Sequence, residues 1–113
     1  NSMTVIDLTA RTAVRDVAVG ERPYAVAVAA GRIFVTNQYG SSVSVIDAET
    51  LQLIKTIATG SYPEGIEADP SGQFVYVACW DDNTLERIDA ATLEVSARIQ
   101  VGSGPRAFGR FLR

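Results

Sequence analysis

An all-β repeat architecture is what this amino-acid sequence predicts, and three observations predict it. Val5-Ile6-Asp7, Val45-Ile46-Asp47 and Arg87-Ile88-Asp89 recur at steps of 40 and 42 residues. A glycine stands 13 residues beyond each aspartate (Gly20, Gly60, Gly102), and a proline follows three residues later (Pro23, Pro63, Pro105). Short alternating segments rich in β-branched and aromatic residues lie between these marks, separated by turn residues. A period near forty residues built in this way is the mark of β-propeller blades, four-stranded sheets that bury their faces against neighbouring blades.

Each repeat resolves into four strands. In the last full copy, residues 65–69 and 73–78 form a hairpin around Pro70-Ser71-Gly72, with Val75, Val77 and Cys79 on one face and Phe74, Tyr76 and Ala78 on the other. Residues 84–89 and 94–101 complete it around the turn at Ala90-Ala91-Thr92. The preceding copy maps as 24–29, 32–36, 43–47 and 52–59, with a shorter first turn at Ala30-Gly31. Upstream, 4–7 and 13–19 supply only the third and fourth strands of a blade, and downstream 106–112 supplies only a first strand, for eleven in all. Asp7, Asp47 and Asp89 are placed to accept backbone N–H groups in Asx turns, helped by Thr50 and Thr92. Gly20, Gly60 and Gly102 are expected to supply positive φ where one blade passes to the next, and the prolines to punctuate the passage.

The organisation that follows is a half blade over 1–20, blades over 21–60 and 61–102, and a closing strand over 103–113: about two and three-quarter four-stranded blades of a larger ring. Asn1-Ser2-Met3-Thr4 falls in register with the later repeats, so Met3 is a repeat residue, and the chain is expected to be a C-terminal piece of a longer propeller. The rest of that propeller, or other copies of the chain, would cover the open edges.

Composition bounds the function. The chain of 113 residues carries 10 Lys and Arg against 13 Asp and Glu, a formal net charge of −3, with no basic run, which disfavours a sequence-independent grip on nucleic acid. No apolar stretch approaches the length of a membrane span. Cys79 is the single cysteine, so cysteine usage assigns no redox compartment. No histidine occurs, which rules out a Ser-His-Asp triad and His-ligated zinc or haem within these residues. No cofactor is expected to bind, and any catalysis here would rest on carboxylates.

Phe34-Val35-Thr36-Asn37 and Tyr76-Val77-Ala78-Cys79, each followed by a Val/Ile-Asp strand and a Gly-x-x-Pro, resemble the YVTN-type β-propeller repeat over nearly the whole chain. The pattern departs at Cys79-Trp80, where an Asn would be usual, and at Glu86-Arg87, where the strand would be more apolar. Pro105-Arg106-Ala107-Phe108-Gly109 resembles the closing strand of such propellers. The resemblance implies a bacterial or archaeal propeller of about seven blades, exported to the periplasm or beyond; it implies no reaction.

In a propeller the connections between the fourth and first strands, and between the second and third, share one face, where ligands gather at the channel mouth. That face is the candidate binding surface: Glu21, Arg22, Tyr24, Asn37, Gln38, Tyr39, Tyr62, Glu64, Trp80, Asp81, Asp82, Asn83 and Arg106. Tyr24, Glu64 and Arg106 follow the repeat prolines, and their differing types suit a ligand rim as well as solvated loops free to vary. Asp81 and Asp82 beside Cys79 and Trp80 suit a cation or a stacked ring, but Asp-Asp-Asn is also ordinary turn composition and Cys79 reads as a semi-buried small hydrophobe. Arg87 is expected to pair with a carboxylate of a neighbouring blade. The favoured function is a non-enzymatic module presenting this face to a partner protein, surface polymer or small ligand. The alternative is part of a propeller enzyme or electron-transfer subunit, such as a lactonase-like hydrolase or a quinone- or haem-dependent oxidoreductase component.

Overall fold

Alternation of small and β-branched side chains lets these segments pair as twisted antiparallel sheets that bury both faces. In the computed structural model, which describes residues 1–106, the strands are β1 (Ser2–Asp7), β2 (Thr12–Ala18), β3 (Pro23–Ala29), β4 (Arg32–Asn37), β5 (Ser42–Asp47), β6 (Leu53–Ala58), β7 (Pro63–Ala68), β8 (Phe74–Cys79), β9 (Thr84–Asp89) and β10 (Val95–Gln100). They form a two-stranded sheet β1-β2 and two four-stranded sheets, β3-β4-β5-β6 and β7-β8-β9-β10, every pair antiparallel. No helix occurs among the described residues, and thus none long and apolar enough to cross a membrane. The fold is an all-β propeller arrangement of blades. The strand expected over 106–112 lies, beyond Arg106, outside the described residues.

The sheets stack by their faces. Phe34, Val43 and Val45 of one blade meet Ile66, Val75, Val77 and Ile88 of the next in a single core. On the opposite face Val35 and Ile46 pack with Val17, Met3 and Val5 of the two-stranded sheet. Because β4 lies between two neighbours, Phe34 to Asn37 are buried without a break, as strands covered on both sides are. The innermost strand β3 turns Ala25, Ala27 and Ala29 toward this core, and it packs against β7; small side chains let the backbones approach where blades converge. Polar fasteners join the blades at their outer ends. Arg32 Nη1 donates to the carbonyls of Ala90 (2.5 Å) and Ala91 (2.9 Å), and Lys55 Nζ to that of Leu93 (3.2 Å).

The turns follow the residues that build them. Asp7, Asp47 and Asp89 each accept two backbone N–H bonds through Oδ1, from Thr9 and Ala10, Glu49 and Thr50, and Ala91 and Thr92, all at 2.8–3.0 Å. The Thr50 N–H and then the Glu49 N–H hold the Asp47 carboxyl below the usual carboxylate range; Thr92 and then Ala91 do the same for Asp89. The β3-β4 hairpin turns through Ala30 (φ 50°) and Gly31 (φ 71°), both left-handed, which matches a two-residue type I′ loop. Ala30 carries a Cβ in a conformation that costs an L-residue about 1–2 kcal/mol. Ala30→Gly is therefore expected to raise stability by about 0.5–1 kcal/mol despite the added chain entropy, seen as a higher urea midpoint at unchanged m-value.

Candidate functional site

Glycine at the blade passage answers to space rather than to φ. Positive φ falls two residues later, at Arg22 (51°), Tyr62 (61°) and Gly104 (62°), each just before the repeat proline, whereas Gly20, Gly60 and Gly102 lie outside the positive-φ region. This corrects the expectation from sequence for all three. At Gly20 an added Cβ would fall 2.7 Å from Asn37 Cγ, and at Gly60 2.7 Å from both Glu86 Oε2 and Asp82 Oδ2. Among the described residues no contact lies within 4 Å of the corresponding position at Gly102.

The two passages use different chemistry for the same purpose. Buried Asn37 accepts the Gly20 N–H through Oδ1 (3.1 Å) and donates through Nδ2 to Ser42 Oγ (3.0 Å) and Ser44 Oγ (2.9 Å). One repeat on, Cys79 stands for Asn37 and Glu86 for Ser44, and Glu86 reaches across from β9 to accept the Gly60 N–H at 2.6 Å. The same Oε2 accepts from Cys79 Sγ (3.5 Å) and pairs with Arg98 Nε (3.2 Å). Glu86 is fully buried, and its Oε1 has no hydrogen-bond partner among the described residues. Cys79 is fully buried rather than semi-buried; burial first, and the Glu86 charge second, push its thiol up to about 12. Among the described residues Arg87 forms no salt bridge to a neighbouring blade: its guanidinium lies 4.4 Å from the Phe74 ring centroid, and its Nε donates to Ser96 Oγ at 2.9 Å.

Each first strand opens with a bulge. Pro23 pairs with Asn37 but Val26 with Val35, and Pro63 with Cys79 but Ile66 with Val77, so Tyr24-Ala25 and Glu64-Gly65 occupy the irregular step. Thr36 Oγ repairs the first, accepting the Ala25 N–H at 3.0 Å, and it donates to the Glu64 carbonyl of the next blade at 2.9 Å. The step turns Glu64 inward, to 3% exposure. Tyr24 instead lines a 180 Å³ cleft with Ser2, Met3 and Val26 on the side of β3 nearest β1.

Above these passages the loops bring five side chains into one arc. Arg22 sits 4.8 Å over the Tyr39 ring and donates to its hydroxyl; Tyr39 and Tyr62 have centroids 5.8 Å apart and Tyr62 and Trp80 5.6 Å apart, at tilts of 48° and 56°. Arg106 closes the arc 5.2 Å over Trp80 and pairs through Nε with Glu64 Oε1 at 3.4 Å. Gly104 lets Trp80 come this close, since a Cβ there would lie 3.0 Å from its indole nitrogen. Tilted ring pairs and cations on ring faces are each worth roughly 0.5–1.5 kcal/mol beyond burial. The structure thus joins Arg22, Tyr39, Tyr62, Trp80, Glu64 and Arg106 of the residues expected on this face. Asp82 is engaged in the passage, accepting the Ser61 N–H at 2.7 Å, and Asp81 is exposed. Among the described residues no three His, Cys, Asp or Glu side chains group as metal ligands. Sequence reasoning missed the role of Glu86, although its signal was present: a glutamate at a strand position where the previous repeat has Ser44.

Solved structures share this fold. No family model matches the chain. It is 35% identical over 54 residues to the uncharacterised protein YncE of Salmonella typhi, a match covering 48% of this chain and 15% of that protein. Part of the hydrazine synthase of Kuenenia stuttgartiensis superposes with a TM-score of 0.88 at 35% identity, over 93% of this chain and 31% of that one. AztD from Citrobacter koseri superposes at 0.76 with 16% identity, over 92% and 30%, which shows the fold alone. The chain therefore spans less than a third of the length of the proteins it resembles here.

Two outcomes test the passage. Glu86→Ala strands the Gly60 N–H and is expected to cost about 2–3 kcal/mol, whereas Cys79→Asn with Glu86→Ser copies the earlier repeat and is expected to recover most of it, as measured by urea denaturation. Cys79 gives the second. Between pH 9 and about 12 the unfolded thiol gives up its proton while the folded one keeps it, so stability falls as pH rises through that window. Cys79→Ala is expected to flatten this part of the pH–stability curve, and native Cys79 to resist alkylation until the chain unfolds.

Proposed function

We propose that the chain is part of a non-enzymatic β-propeller of the YVTN type, with about seven blades, that presents its aromatic rim to a partner protein, surface polymer or small ligand in the periplasm or outside the cell. One observation carries the reading: the arc from Arg22 through Tyr39, Tyr62 and Trp80 to Arg106 sets tilted rings and cations on a single loop face. Tyr39 is 57% exposed despite its size, and rigid amphipathic rings of this kind are the side chains that dominate binding surfaces. The short match to YncE supports the repeat type. The second reading, a portion of an enzyme or electron-transfer subunit, is favoured by the 35% identity to part of a hydrazine synthase. In that reading the reacting groups come from other parts of the protein.

A rim variant with Tyr39→Ser, Tyr62→Ser and Trp80→Leu is expected to lose at least tenfold in retention on purified cell-envelope fractions, measured by co-sedimentation. Substitutions on the opposite face, such as Asp69→Asn, are expected to leave retention unchanged. Equal loss or equal retention in both would move binding away from the rim. Stoichiometric metal, visible absorption or lactone turnover in the purified protein would decide for the second reading.

A further inference from the structure

We propose that Glu64, Tyr62 and Trp80 form a receptor for a ligand guanidinium, and that Arg106 of the chain itself fills it in the free protein. The inference rests on the reading of the rim as a binding face, and it names the chemistry that the face accepts. Glu64 is 3% exposed, and its Oε1 has no hydrogen-bond donor among the described residues. A buried carboxylate oxygen without a donor is costly, and it marks a place built for one. Arg106 answers it incompletely. Its Nε stands 3.4 Å from Oε1, an ion pair that does not amount to a hydrogen bond, and its side chain remains 54% exposed.

A planar guanidinium is the group that satisfies both walls of this site. It can give paired N–H donors to a carboxylate while its face lies on an aromatic ring. Arg106 already takes the second posture, 5.2 Å over Trp80, and Tyr62 stands 5.6 Å from the same indole as the adjoining ring. The other end of the arc repeats the chemistry with Arg22 on Tyr39. The surrounding charge favours a cation as well: Glu21 and Asp81 are exposed on the same face, and the chain carries a net charge of −3. A ligand guanidinium arriving from solvent displaces Arg106, donates two N–H groups to Glu64 and inherits the Trp80 face. The incoming group is an arginine side chain of a partner or a small guanidino compound; both present the same head.

Trp80 is the single tryptophan, so its emission reports the site directly. Titration with N-acetylarginine amide is expected to give a saturable change in the millimolar range. Removing the internal occupant by Arg106→Ala should tighten binding about tenfold if Arg106 fills the seat nine-tenths of the time. Glu64→Gln should weaken binding at least tenfold; should that variant fail to fold, Glu64→Asp, with its charge withdrawn by one methylene, takes its place. N-acetyllysine amide should bind several-fold more weakly. No binding to Arg106→Ala at millimolar ligand, binding indifferent to Glu64, or equal affinity for the lysine amide would overturn the proposal. Rim-dependent retention on envelope fractions alongside failure with the arginine amide would end this inference alone and leave the binding-face reading standing.

Discussion

The passage from one blade to the next is the constraint on which the rest of this structure depends. A backbone N–H emerging from a strand must be satisfied in a place too tight for any side chain but glycine's. At Gly20 and Gly60 the protein meets that demand with a buried acceptor from the following blade, Asn37 in one and Glu86 in the other. An unpaired buried N–H costs as much as many packing contacts provide, so each passage fixes the position of one blade against the next. The exit of the chain toward the proline, the left-handed residue before it and the bulge after it follow from that fixed point.

The rim is a consequence of the same geometry. Arg22 and Tyr62 occupy equivalent left-handed positions just outside the passage, while Tyr39 and Trp80 come from the loops that the buried acceptors Asn37 and Glu86 help to hold. Two sets of loops, anchored from below at one-blade intervals, bring large side chains within ring-stacking distance of those in the neighbouring blade. Glu64 is turned inward by the bulge and by the bond from Thr36 to its carbonyl, so that among the described residues its ion-pair partner is Arg106, from the segment after β10. Binding surface and scaffold are not separable here, because the residues that seat the rings also seat the blades.

Much of the fold was legible in the residues. The Val-Ile-Asp segments gave the third strands, and the aspartates gave their Asx turns, because such turns are local: donor and acceptor are two or three residues apart. The alternation of Val75, Val77 and Cys79 against Phe74, Tyr76 and Ala78 gave the buried face of β8 for the same reason, although Ala78 on the other face is buried as well. The glycines were recognised for the wrong cause. Their repetition is visible in sequence, but whether a glycine serves φ or close approach depends on which atom stands above it, and Asn37 is 17 residues away from Gly20. The contact of Arg87 was not legible for a like reason, because the Phe74 ring that receives it lies on the neighbouring strand of its own blade.

The sequence by itself determined the period, the strand order, the turn chemistry and the face on which the candidate rim lies, since each is written in spacing and local preference. Only the tertiary structure decided which rim residues meet. That Tyr39 packs tilted against Tyr62, that Arg106 covers Trp80 and reaches Glu64, and that Glu86 does for Gly60 what Asn37 does for Gly20, are relations between residues of different strands or blades. Such contacts are set by how closely the sheets pack and how far each is rotated against the next, quantities that arise only when the buried faces meet.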